Sequence, residues 1–125
     1  MVWRMIILAR VLTGLVALEH AYILVLEMFL WNTARTRRVF GVTPELAAQT
    51  GAMAANQGLY NGFLAAGLMF SMALGDHTFV SFFLGCVVVA GLYGGYSVKP
   101  SIYFVQALPA ALALIVTQVS TNWAT

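Results

Sequence analysis

Glu19, His20 and Glu27 are the side chains of this sequence best suited to chemistry. They interrupt the run Leu18-Glu19-His20-Ala21-Tyr22-Ile23-Leu24-Val25-Leu26-Glu27-Met28-Phe29-Leu30-Trp31, which is otherwise almost entirely apolar and aromatic. Carboxylates and imidazoles exchange protons and pair with cations or hydrogen-bond donors. Inside a lipid-spanning helix each costs about 3 kcal/mol unless something compensates. Burial penalises the charged form of such groups, so a cluster of them suits a proton relay or a ligand site. On a helix His20 and Glu27 are nearly eclipsed, and Glu19 lies roughly 80° from Glu27. Histidine with carboxylate also suits a divalent transition metal. One imidazole and two carboxylates at this spacing form no strong ligand motif, so no metal and no other cofactor is expected.

A second polar set follows in Asn56, Gln57, Tyr60 and Asn61. At 100° per residue these four fall within an arc of roughly 140°. Gly51, Ala55, Gly58, Gly62 and Ala66 form a separate stripe, and small-residue stripes let membrane helices approach closely. Trp31, Tyr60 and Tyr93 are candidates to wall an aromatic pocket. Gln106 adds an amide near the start of the last apolar segment. Counted from the ends of their helices, Glu27, Asn56 to Asn61, Tyr93 and Gln106 share one half of the membrane, with Glu19 and His20 nearer its middle. The other half is expected to be almost pure hydrocarbon over residues 65–74, 79–89 and 112–116. These features predict a pocket open on one side, with Glu19, His20, Glu27, Trp31, Asn56, Gln57, Tyr60, Asn61, Tyr93 and Gln106 as ligand-binding or proton-relay candidates.

Apolar helices must position these groups. Of the 125 residues 62% are hydrophobic and 8% charged, where a soluble domain would carry about 25% charged residues. Continuous apolar runs of spanning length argue against a β-barrel, whose strands alternate. The expected fold is a single all-α domain of four transmembrane helices in an antiparallel bundle, over about residues 5–31, 44–74, 78–96 and 101–119. Thr43-Pro44-Glu45 reads as a helix start, with Thr43 as N-cap and Pro44 at the first helical position. Residues 32–38 read as a polar, basic loop. Gly75-Asp76-His77 reads as a tight turn, and Pro109 as a kink in the last helix.

Positive charges favour the cytoplasm. Arg35, Arg37, Arg38 and Lys99 therefore place loops one and three inside and both termini outside, in a bacterial inner membrane. Trp3 and Trp123 suit interfacial anchors on one side and Trp31 on the other. The apolar run from the amino end reaches Trp31 with no clear small-x-small site, so cleavage as a signal peptide is not expected. Cys86, the single cysteine, allows no internal disulfide and reads as a packing residue. The net charge of +2 comes with no basic patch for nucleic acid. The lipid bilayer is the expected partner, a small molecule or lipid is the candidate ligand, and the Gly58/Gly62 and Gly91/Gly95 stripes are candidate surfaces for a homodimer.

At these residues the chain resembles a family. Leu18-Glu19-His20, Leu26-Glu27-Met28-Phe29-Leu30-Trp31, Val39-Phe40-Gly41, Ala54-Ala55-Asn56-Gln57-Gly58-Leu59-Tyr60-Asn61-Gly62-Phe63, Gly91-Leu92-Tyr93-Gly94 and Val105-Gln106-Ala107-Leu108-Pro109 resemble the small bacterial membrane proteins catalogued as domain of unknown function 1304. The resemblance implies four membrane helices and no settled activity, cofactor or catalytic residue. Function therefore rests on the polar residues. They point first to binding or proton-coupled transport of a small or amphipathic molecule. A membrane enzyme using Glu and His as acid and base on a lipid-like substrate is the alternative. A polar cluster that only fixes helix register is the third.

Overall fold

The computed structural model describes residues 1–122, so the anchor role expected of Trp123 lies outside the described residues. Among them the secondary structure is helical: α1 (Val2–Met28), α2 (Ala34–Phe40), α3 (Pro44–Leu74), α4 (His77–Ser97), a π-helical turn (Tyr103–Ala107) and α5 (Leu108–Asn122). Three stretches are long and apolar enough to cross a membrane: Val2–Met28, His77–Ser97 and Tyr103–Thr121. Their side chains are arranged for lipid. Leu15, Leu18, Val25, Phe82, Val89 and Ile115 face outward, while Thr13, His20, Glu27, Thr117 and Ser120 are buried. Leu26, Leu68 and Leu84 are buried as well, and such a mixed interior beneath an apolar surface suits a chain in lipid, where no hydrophobic drive sorts side chains by polarity.

Local signals account for most boundaries. Thr43 caps α3 through its Oγ1, which accepts from the Leu46 N–H at 3.2 Å. Gly75 takes φ +68°, a conformation costly for any residue with a Cβ, and so ends α3. Asp76 is more than a turn residue: its Oδ1 accepts from the N–H groups of Thr78 and Phe79 at 2.9 and 3.1 Å and caps α4. The stretch 32–38, expected as a loop, instead contains most of α2. Thr33 is its N-cap, accepting from the Thr36 N–H, and Gly41 ends it with φ +68°. A helix this short has no hydrophobic period to reveal it.

The kink expected at Pro109 takes a definite form. Proline has no N–H and its ring crowds the carbonyl four residues back. The turn before it widens into a π-helix, in which the Leu108 N–H donates to the Tyr103 carbonyl.

By packing the chain groups into two compact units, Leu18–Ala65 and Met1–Ala17 with Ala66–Thr125. In the first, α3 buries Ala47, Ala54, Gly58 and Ala65. That face lies between the two stripes read from the sequence. A Cβ on Gly58 would sit 2.7 Å from the Met28 side chain and 3.0 Å from the Glu27 Cβ, and one on Gly62 would strike Leu24. Trp31 ties the end of α1 to α3: its indole N–H donates to Thr50 Oγ1 at 3.1 Å, and its ring meets Phe40 edge-on at 5.1 Å. Trp31→Phe keeps the ring and removes the bond. It is expected to lower stability by about 1 kcal/mol in detergent unfolding, with Thr50→Val equivalent and the double variant no worse.

In the second unit the buried positions of the π turn and α5 are small: Ala107 in the turn, then Ala110, Ala113, Thr117 and Ser120 in α5. They let α4 come close along Val80, Leu84, Val87, Gly91 and Gly95. Gly91 meets the backbone of the π turn, and Gly95 meets the Tyr103 ring. The glycine pairs read as dimer surfaces are thus occupied within the chain. Gln118 Nε2 donates to Ser81 Oγ at 2.7 Å and adds a polar tie between α5 and α4.

Candidate functional site

Within the unit Leu18–Ala65 the second half of α1 carries the three ionisable groups. The buried stripe of α1 includes Val16, His20, Leu26 and Glu27, so His20 and Glu27 share the inward face. His20 is fully buried, and Glu27 is 8% exposed. Glu27 Oε1 accepts from Asn61 Nδ2 at 2.8 Å, a bond between residues 34 apart in sequence. The same Asn61 amide donates to the Gln57 carbonyl at 3.2 Å, which holds it in place. Gly58 permits this geometry, because a side chain there would push α1 away by displacing Met28 and Glu27.

Glu19 is half-buried, and its Oε1 is enclosed with no hydrogen-bond partner among the described residues. Eight residues separate Glu19 from Glu27, about 12 Å along the helix axis. The two carboxylates are therefore separate stations rather than a pair sharing one proton. Among the described residues, no group of three or more His, Cys, Asp and Glu side chains gathers to hold a metal.

The other sequence-derived candidates divide. Asn61 reaches Glu27, and Trp31 holds α3 through Thr50. Asn56 and Gln57 lie on the exposed side of α3, as does Tyr60, whose ring packs edge-on against Phe63 at 5.8 Å. Tyr93 and Gln106 belong to the other unit, where Tyr93 is exposed and Gln106 half-buried. At the start of α2, the Arg35 guanidinium lies 5.7 Å from the centroid of the Tyr22 ring. This cation–π contact joins the basic stretch to α1.

The sequence reading missed one polar group. In the unit formed by Met1–Ala17 and Ala66–Thr125, a cavity of about 90 Å³ is lined by Arg10, Thr13, Ser71, His77, Thr117 and Ser120 among others. Within the stretch 65–74, expected to be almost pure hydrocarbon, Ser71 lines this cavity. Single hydroxyls in apolar helices carry little signal, because each can satisfy itself on the carbonyl three or four residues back.

Comparison with known proteins adds a family and no activity. The chain is 34% identical over 115 residues to the uncharacterized protein YpaA of Lactococcus lactis subsp. lactis (strain IL1403), covering 89% of this chain and 97% of that one. No solved structure matches. The model of the family described as "Protein of unknown function (DUF1304)" matches residues 14–118, which include Glu19, His20, Glu27 and Asn61, and the chain belongs to that family.

Proposed function

We propose that the protein binds a small amphipathic molecule with a cationic or hydrogen-bond-donating head inside the membrane, and that a carboxylate of α1 gives up its proton to water as the molecule binds. Such a protein is a binding protein or a proton-coupled transporter. The Oε1 of Glu19, enclosed and without a partner among the described residues, supports this best. A carboxylate retained only to lock helices together would have both oxygens satisfied, since an orphaned polar atom costs several kcal/mol where water is absent. An open oxygen is a place for a proton or for a ligand's donor. Glu27, held by Asn61, is the second such acid.

The proposal includes a topology. Besides the three apolar spans, α3 crosses as a fourth: its 31 residues make about 46 Å at 1.5 Å each, more than the ~30 Å hydrocarbon core. Its Pro44 end projects on the side of α2, whose Arg35, Arg37 and Arg38 lie in the cytoplasm of a bacterial cell, leaving both termini outside.

Tetraphenylphosphonium, a lipophilic cation, is a suitable first probe. Titrated in weakly buffered solution, protein in nanodiscs is expected to bind it and release protons, while folded Glu19→Gln releases fewer. The proposal fails if wild type binds no better than the variant and both take up the same number of protons between about pH 5 and 8.

A further inference from the structure

The cavity lined by Arg10, Thr13 and His77 lies wholly within one unit and is independent of the Glu19 and Glu27 site. Beside apolar Ile6, Ala9, Met72 and Val80, its buried lining carries four hydroxyls: Thr13, Ser71 and Ser120 are each 1% exposed, and Thr117 is 2% exposed. Three of them already donate their protons to backbone carbonyls, Ser71 to Gly67 at 2.6 Å, Thr117 to Ala113 at 2.8 Å and Ser120 to Thr117 at 2.8 Å. What they offer the cavity is lone pairs. The fourth, Thr13 Oγ1, has no partner among the described residues and can accept or donate.

The rim has the opposite character. Arg10 and His77 are both exposed, and the guanidinium presents a fork of donors that matches a phosphate. Asp76, the acid beside His77, has its Oδ1 turned to the backbone N–H groups of α4. A donor rim over an acceptor floor selects a ligand with an anionic outer end and a donor-bearing inner end. The volume of about 90 Å³ exceeds severalfold the roughly 10–15 Å³ needed for one water. It therefore admits a short arm carrying an ammonium. Gly75 also lines the cavity and ends α3 there, so it opens at a helix turn, where lipid headgroups and aqueous solutes both have access.

We infer that this cavity binds a phosphoethanolamine group, with the phosphate on Arg10 and His77 and the three ammonium N–H groups donating to hydroxyl oxygens among Thr13, Ser71, Thr117 and Ser120. The group has two sources, a phosphatidylethanolamine headgroup or free phosphoethanolamine. A choline group fits poorly, because its trimethylated nitrogen has no N–H for the floor.

The test is calorimetric titration of the purified full chain with three probes: short-chain phosphatidylethanolamine, the matching phosphatidylcholine, and free phosphoethanolamine. The ethanolamine lipid is expected to bind about tenfold more tightly than the choline lipid, and Arg10→Gln to weaken it about tenfold. Thr13→Val should cost roughly fivefold while leaving the helical circular dichroism unchanged; Ser71→Ala replaces it if that variant does not fold. Binding of the lipid alone identifies a headgroup site, and binding of free phosphoethanolamine as well identifies a soluble ligand. Both outcomes support the inference. Equal binding of the two lipids, or affinities unchanged in the folded variants, overturns it.

Discussion

Gly91→Val is expected to leave little folded protein in the membrane. A Cβ at position 91 would lie 2.6 Å from the Ala107 backbone nitrogen and 2.8 Å from its Cα. Those are atoms of the π turn, and they cannot rotate aside as a side-chain tip would. The turn is itself constrained by Pro109, so the strain cannot be passed along α5 without breaking the Leu108 to Tyr103 bond. Overpacking usually costs about 1–3 kcal/mol, and a clash with backbone belongs at or above the top of that range. Gly85 on the same helix is the control, because a Cβ there meets nothing within 4 Å. Gly85→Ala should be neutral or gain up to about 1 kcal/mol from helix propensity. Expression with thermal unfolding in detergent measures both. A Gly91→Val protein as stable as Gly85→Ala would show that α4 and the π turn are not in contact.

The second large effect is expected at Glu27 and Asn61. Asn61→Leu removes the donor 2.8 Å from Glu27 Oε1 and leaves a buried acceptor unmet. The expected loss is about 1–2 kcal/mol, the range for polar ties between membrane helices. Glu27→Gln keeps an oxygen for the Asn61 amide and should retain most of the stability. In the proton-release measurement with tetraphenylphosphonium it should nevertheless lose part of the wild-type signal, because it has lost a titrating group. Glu27→Leu combined with Asn61→Leu should recover part of the single-variant loss, since neither polar group is then stranded. A double-mutant cycle measures this coupling directly. A Glu27→Gln protein that unfolds like Asn61→Leu would make the carboxylate a structural tie only.

Much of the fold is legible in the sequence because it follows from local chemistry. Hydrocarbon runs of spanning length require helices in lipid. Thr43-Pro44 and Gly75-Asp76 mark helix ends because capping and positive φ are properties of a few neighbouring residues. Pro109 announces a disturbed helix for the same reason. Glu19, His20 and Glu27 stand out as a polar site because lipid makes such residues expensive.

The tertiary structure decided what depends on which faces meet. Asn56, Gln57, Tyr60 and Asn61 look alike on a wheel, yet only Asn61 borders the face that α3 turns inward, and so only its side chain reaches Glu27. That choice was set by Ala54, Gly58 and Ala65, whose small size allows the close approach. Arg10, Thr13, Ser71 and Thr117 are scattered along the chain, with no motif or spacing to connect them. They become one cavity because three helices bring them together. Residue type and order determined that a polar site must exist in an apolar chain. Packing determined which buried side-chain oxygens lack partners among the described residues, Glu19 Oε1 and Thr13 Oγ1, because that depends on distances between segments far apart in the sequence.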